Sequence, residues 1–407
     1  MTELEDVWRD EWGRLVALLV AQFRRLDLAE DGLGDAFAAA ADAWRRDGVP
    51  DNPAAWLLTS ARRRIFDRLR SEAIARRKLP LLQVDMALTE EARTVMADAG
   101  ESVVDERLRL VLLCAHPSLA PEHAAALTLR LVLGVSTADI ARLFLVPTPT
   151  MAARLTRARK ALSGERFAVP SGAELEARVA TVAEIGYLAF TSGYAPGSGV
   201  DLVRADLAGE AIRLVRVLRS VLPAGFAGAA DLDALLALML LQHARRDARV
   251  SDGRLVLLPD QDRSLWRHDE IAEALALLRP LLVSGSTPYL LQALIAAEHA
   301  VAATAADTDW ARITGWYAEL EALTGSPVVR LNRAVAVAEA DGPHAGLRLL
   351  EDLDLPGHRL PAARAELLVR AGRTEEARTS YRLAIERCGN DAERAHLEVR
   401  ARSLGTE

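Results

Sequence analysis

The segment TPTMAARLTRARKAL, residues 148–162, carries four basic side chains in a chain whose formal net charge is -7. Wound at 100° per residue, Met151, Leu155, Ala158 and Leu162 fall on one narrow apolar stripe. Ala153, Thr156, Arg157 and Lys160 face the other way, with Arg154 on the flank. Two readings fit such a helix: a solvated surface face, or a helix that docks by its stripe and offers its basic side to phosphates. The preceding residues bear on the choice. STADIARLFLV, residues 136–146, reads as a short helix with Ser136 as N-cap and Asp139 three residues on. Ile140 and Phe144 face inward, and Ala141 is small where a second helix crosses. A short turn with Pro147 and Pro149 then leads into the basic helix. Two short helices, a tight turn and a basic outer face make a helix-turn-helix, although an ordinary helical hairpin shares that spacing.

The 407 residues are half apolar and only 5% aromatic, and Ala, Leu and Arg dominate. Period-two runs of β-branched and aromatic residues are scarce, which points to an all-α fold of more than one domain. An acidic balance confines any nucleic-acid contact to a local patch. Two cysteines, Cys114 and Cys388, cannot make a disulfide framework and point to a reducing cytoplasm. The acidic start MTELEDVWRDEW does not read as a signal peptide. LDALLALMLL, residues 232–241, stops at Gln242 and His243, short of the ~18 residues a membrane span needs. No membrane partner is expected.

Residues 1–80 read as a helical unit. Trp12, Leu15, Leu19 and Phe23 recur at helical spacing, and LAEDGLGDAFAAAADAWRRDG gives a second helix ending at Gly48. In VPDNPAAWLLTSARRRIFDRLRSEAIARRK, Asn52 caps and Pro53 takes the first helical position, where its missing N–H costs nothing. Leu58, Ala61, Ile65 and Leu69 form the apolar stripe. Between residues 62 and 78 stand eight Lys or Arg against two acids. Residues 81–104 are an acid-leaning linker, 105–168 a second helical unit, and 170–407 a run of helices broken by Gly- and Pro-containing turns. Near its end, PVVRLNRAVAVAEADGPHAGLRLLEDL and LPAARAELLVRAGRTEEARTSYRLAIERCG share one plan: a helix, a turn at Gly342 or Gly372, and a second helix. Hairpins recurring at a little over thirty residues are the tetratricopeptide-type period, and such hairpins stack into surfaces suited to a protein or peptide partner.

STADIARLFLVPTPTMAARLTRARKAL closely resembles region 4 of the sigma-70 family, nearest to its extracytoplasmic-function group. Ile140, Ala141, Thr150, Met151, Arg154, Leu155, Arg157, Ala158 and Arg159 fall on the pattern, while Leu145 stands at the usual turn glycine. DLAEDGLGDAF, residues 27–37, resembles the polymerase-docking part of region 2, with Gly34 where the family usually has Gln. NPAAWLLTSARRRIFDRLR resembles the segment that opens the −10 element. The resemblance implies a sigma region 2 bundle, a linker, a region 4 helix-turn-helix and a tetratricopeptide-like extension. It implies core RNA polymerase and promoter DNA as partners. Core polymerase binding falls on Asp31, Asp35 and Phe37. The −10 strand falls on Asn52, Trp56, Arg62, Arg63, Arg64 and Arg70, and the −35 element on Thr150, Arg154, Arg157, Arg159 and Lys160. The extension is expected to regulate in cis.

Two other classes compete: a repeat scaffold merely tethered to DNA, and a DNA-binding regulator that never touches polymerase. The region 2 resemblance favours the sigma factor, since neither alternative needs a polymerase-docking helix. No nucleophile–base pair or phosphate loop occurs, so no enzyme activity and no cofactor are expected. Cys114 and His116 lack further ligands nearby, so no metal is expected. SDGRLVLLPDQDRSLW, residues 251–266, suggests a small hairpin around Asp252 and Gly253, followed by the dense group Asp260, Asp262, Arg263 and Trp266. Ion pairing within a loop and a ligand or polymerase contact both suit this group.

Overall fold

A computed structural model describes residues 3–75, 100–144, 146–194, 205–251, 254–283 and 285–405. Most of the expected linker, Leu145 and the turn at Asp252 and Gly253 lie outside the described residues. The expected all-α class holds: among the described residues the only strands are Val250–Ser251 and Arg254–Leu255, paired antiparallel. These are the small hairpin expected there. No helix among the described residues is long and apolar enough to cross a membrane.

The chain forms two compact units. The first comprises residues 1–186 and 213–227, the second residues 187–212 and 228–407. The first opens with three long helices, Glu3–Phe23, Leu26–Asp47 and Pro53–Ala75. Trp12, Leu15 and Leu19 are buried as their spacing requires, and so are Leu58, Ala61 and Ile65, with Leu69 half-buried. Asn52 caps the third helix, its Oδ1 accepting from the Ala55 N–H at 3.0 Å. Gly32 is buried in the second helix because a Cβ there would lie 2.6 Å from Ile65 Cγ1. Among the described residues four shorter helices follow, Gly100–Cys114, Pro121–Leu131, Thr137–Leu143 and Thr148–Ala161.

The first unit runs past the division the sequence suggested near residue 170. Part of helix Ala173–Tyr194 belongs to it, burying Val179 and Val182, and Arg178 there donates to the Leu112 carbonyl at 3.4 Å. Residues 213–227 belong to it as well, burying Leu214, Val215 and Leu218. These apolar faces complete the first core, so chain order and packing order part company here.

In the second unit, helix Ala229–His243 is buried on nearly all sides, from Leu232 to Leu241. That explains its apolar sequence without a membrane, because a helix that is apolar all round belongs in a core. The two terminal hairpins form as the repeat pattern implied. Pro327–Asp341 is followed by Pro343–Leu349, and Arg359–Arg370 by Thr374–Arg387, with Gly342 and Gly372 in positive φ at the turns. Leu331, Ala334 and Ala338 of the first hairpin share a buried cluster with Leu360 and Leu367 of the second. Gly346 lets its short helix approach closely, since a Cβ would stand 2.5 Å from the Ala334 carbonyl oxygen. Each hairpin thus covers its neighbour's apolar face, which is the stacking logic of repeats.

Candidate nucleic-acid and polymerase interface

The basic helix is held as its pattern dictates. Met151, Leu155 and Ala158 are buried, and Leu162 just beyond the helix end is buried too. Ser136 caps the preceding helix: its Oγ accepts from the Asp139 N–H at 3.1 Å and donates to Asp139 Oδ2 at 2.6 Å. Ile140 and Ala141 are buried beneath the crossing. The outward face presents Thr150, Arg157 and Lys160, all exposed. Arg157 reaches only back to the Ala153 carbonyl, at 3.3 Å.

The other two basic residues of this helix are engaged inside the fold. Arg154 pairs with Glu122 at 3.3 Å and lies over the Phe144 ring at 5.8 Å. Arg159 donates to Glu30, a buried carboxylate in the second helix that also receives Arg130 Nε at 2.6 Å. Glu30 therefore joins the first three helices to the helix-turn-helix. Charge-assisted pairs of this kind are about twice as strong as neutral ones. Two tryptophans strengthen the same seam. Trp8 Nε1 donates to the Gly134 carbonyl at 3.0 Å, and Trp12 Nε1 to the Arg130 carbonyl at 3.1 Å. Gly13 admits the backbone of Val132, whose oxygen would lie 2.1 Å from a Cβ. At Gly134, with φ +72°, a Cβ would stand 2.7 Å from the Trp12 ring. Arg213 Nη2 crosses the seam, donating to the carbonyls of Arg9 at 2.5 Å and Leu133 at 3.1 Å.

The residues expected to touch the −10 strand divide. Asn52, Arg63 and Arg70 are exposed, and Trp56 and Arg64 are half-buried. Trp56 meets Trp44 edge to face at 5.8 Å. Arg62 is only 4% exposed, so it sits in the core side of its helix and not along a phosphate track. The expected polymerase-docking residues divide as well. Asp31 and Asp35 are both held by Arg68, at 2.8 and 2.7 Å, beside an open hollow lined by Asp27, Leu28, Asp67, Ser71 and Glu72. Phe37 is buried against Trp8 at 4.6 Å, so its ring packs inside the fold and does not present itself. Asp27 is held below the usual carboxylate range by the Arg25 side chain bonded to it.

In the second unit the group around residue 260 is built by a cation, but not through ion pairs. Arg263 Nη1 donates to the carbonyls of His299 and Ala302, at 2.7 and 2.8 Å, closing the C-terminal end of helix Pro288–Val301. Its guanidinium lies 4.4 Å from the Trp266 ring centroid. Such a cation suits orphan helix carbonyls. Burial and the nearby Arg245 and Arg263 push His299 down to about 4, which keeps its ring neutral there. Asp262 caps the following turn through Ser264, and these bonds lower its carboxyl. Asp260 and Asp262 remain exposed on the outside. Elsewhere, burial pushes the Cys114 thiol up to about 12, and His116 faces Ser118 and Glu165. A group that sequence proximity missed is His358, Cys388 and Glu393, whose donor atoms lie within 4.8 Å of one another. There His358 and Glu393 already pair directly at 2.9 Å.

This arrangement, a three-helix body carrying an acidic face and a helix-turn-helix with a basic outer face, is that of a promoter-reading protein. Residues 10–74 match the family model of sigma-70 region 2, and residues 109–162 that of sigma-70 region 4. Residues 178–281 match a family of unknown function (DUF6596). The chain belongs to the sigma-70 family and is an RNA polymerase sigma factor. It is similar along almost its whole length to an uncharacterized protein of Rhizobium meliloti (strain 1021), with 40% identity over 401 residues, covering 96% of this chain and 93% of that protein. No solved structure matches.

Proposed function

We propose that the chain is an extracytoplasmic-function sigma factor, working in the cytoplasm, whose long extension regulates it in cis. Region 4 enters the −35 major groove, and region 2 docks on core polymerase and holds the −10 strand. The observation that carries this reading is the outward face of the basic helix. Thr150, Arg157 and Lys160 are exposed while the opposite stripe is buried, so cations are offered where a phosphate backbone can reach them. Arg154 and Arg159 join them once their acidic partners let go. Asp31 and Asp35 form the docking face, and Asn52, Trp56, Arg63, Arg64 and Arg70 the −10 face. Arg157→Ala is expected to weaken −35 binding and lower the slope of log K against log salt by about one, the signature of one lost phosphate contact. Titrations of a −35 duplex across a salt series measure it, and an unchanged slope removes Arg157 from the contact set.

The extension acts, in this reading, through the loop that Arg263 locks, with Asp260 and Asp262 turned outward to a partner. Removing the chain after Val169 is a poor test, because helices beyond that point complete the first core. Asp262→Ala with Arg263→Ala is the sharper change. It is expected to lower run-off transcription about tenfold while far-UV circular dichroism stays unchanged, since two hydrogen bonds to helix carbonyls and one cap are lost locally. Full run-off activity in that variant would show the loop to be dispensable.

A further inference from the structure

We propose that His358, Cys388 and Glu393 form a zinc site that ties the last helical hairpin to the terminal helix. The proposal concerns the second unit alone and does not depend on what the first unit binds. Three elements deliver the ligands. His358 stands at the N-cap of helix Arg359–Arg370, Cys388 at the C-cap of helix Thr374–Arg387, and Glu393 in the first turn of helix Asp391–Ser403. Their donor atoms lie within 4.8 Å of one another. A tetrahedral zinc ion with bonds of about 2.0–2.3 Å sets its ligands roughly 3.3–3.6 Å apart. Side-chain shifts of little more than about 1 Å therefore close the three donors on one ion. The backbone around them is already fixed. Asn390, buried in the turn, accepts from the Glu393 N–H through Oδ1 at 3.0 Å, and its carbonyl accepts from Cys388 Sγ at 3.3 Å. Arg394 donates to the Cys388 carbonyl at 2.5 Å, which holds a cation beside the residue whose thiol must ionise.

The donor set selects the ion. A thiolate and an imidazole suit zinc, whereas magnesium and calcium take oxygen ligands. His358 Nε2 and Glu393 Oε2, at 2.9 Å, share a proton, and the ion takes its place between them. That proton moves to Nδ1 of the neutral imidazole, the Cys388 thiol proton leaves to water, and a divalent ion with one thiolate and one carboxylate carries no net charge. Water fills the fourth position of a site with three protein ligands. The consequence is structural. Cys388 lies in a buried cluster with Ala365, Tyr381, Ala384 and Leu397, the last from the terminal helix. An ion held there pins that helix over the end of the hairpin stack, where repeat proteins need a cap. The half-exposed pair of His358 and Glu393 contributes little by itself.

Tag-free full-length protein, stripped with a chelator and dialysed, is titrated with zinc and, in a second series, with cobalt. About one zinc per chain is expected, with a Kd of about 1 μM or below. Cobalt in the same site should show thiolate-to-metal charge-transfer absorption in the near ultraviolet, which a site of imidazole and carboxylate alone lacks. Saturating zinc should raise the Tm by about 5 °C. Loss of an outer-shell partner costs about 10–100-fold in metal affinity, so loss of a ligand should cost at least about 100-fold. That loss is expected for Cys388→Ser, and equally for His358→Ala and Glu393→Gln, whose half-exposed positions spare the core. Circular dichroism confirms that each variant folds. Absence of zinc binding in the micromolar range overturns the site. A charge-transfer band that survives in Cys388→Ser overturns the sulfur ligand and with it the proposal. Zinc affinity unchanged in both His358→Ala and Glu393→Gln places the ion elsewhere and overturns it too.

Discussion

Trp12→Ala is expected to lower the stability of the first unit by about 3–5 kcal/mol, the range for emptying the site of a large buried aromatic. Trp12 has no exposed surface, stacks on Trp8 at 4.2 Å and carries the Arg130 guanidinium 5.3 Å from its ring centroid. Its indole N–H also serves the Arg130 carbonyl, so truncation empties a cavity and strips a buried acceptor together. The surroundings cannot relax into the space easily, because Gly13 and Gly134 already set backbone against backbone and ring. Urea denaturation followed by circular dichroism measures the effect. A loss below about 1 kcal/mol would mean that the seam between regions 2 and 4 is not packed as described.

Asp35→Arg is expected to abolish co-elution with core polymerase, a loss of at least about 100-fold in affinity. Like charges brought together at an interface cost several kcal/mol, and 100-fold corresponds to about 2.7 kcal/mol. Asp35 shares Arg68 with Asp31, so the reversal also sets two cations side by side within the fold. Asp35→Asn separates the two effects. It removes the charge without the repulsion and is expected to weaken binding to a smaller degree, with the helical signal intact. Undiminished binding by both variants takes the docking face away from this helix.

Local features were legible from the sequence because the signals were local. Capping by Ser136 and Asn52, the stripe of the basic helix and the turns at Gly342 and Gly372 depend on residues a few positions apart. So does the 250s hairpin, where neighbours pair. What sequence reasoning missed is tertiary. Phe37 lies on a region 2 pattern position, but whether its ring points out or in depends on Trp8, 29 residues earlier. Arg159 looked like a phosphate contact, and its partner Glu30 lies 129 residues away. No periodicity links the two. A signal for Glu30 did exist: it is an acid on the apolar-facing side of its helix, between buried Ala29 and Leu33, and a carboxylate there requires a cationic partner. The dense charges near residue 260 suggested ion pairs, but Arg263 serves backbone carbonyls, which carry no mark in the sequence. The first unit's recruitment of helices beyond residue 170 was hidden for a similar reason, since an amphipathic helix does not announce which core it covers.

The central claim, that this chain directs RNA polymerase to promoters, is tested most directly by run-off transcription. Purified full-length protein is added to core polymerase lacking any other sigma factor, with genomic DNA fragments as template. Discrete transcripts are expected that start downstream of paired −35 and −10 elements and vanish when this protein is omitted. Transcript patterns identical with and without the protein, despite folded protein and active core enzyme, would contradict the account.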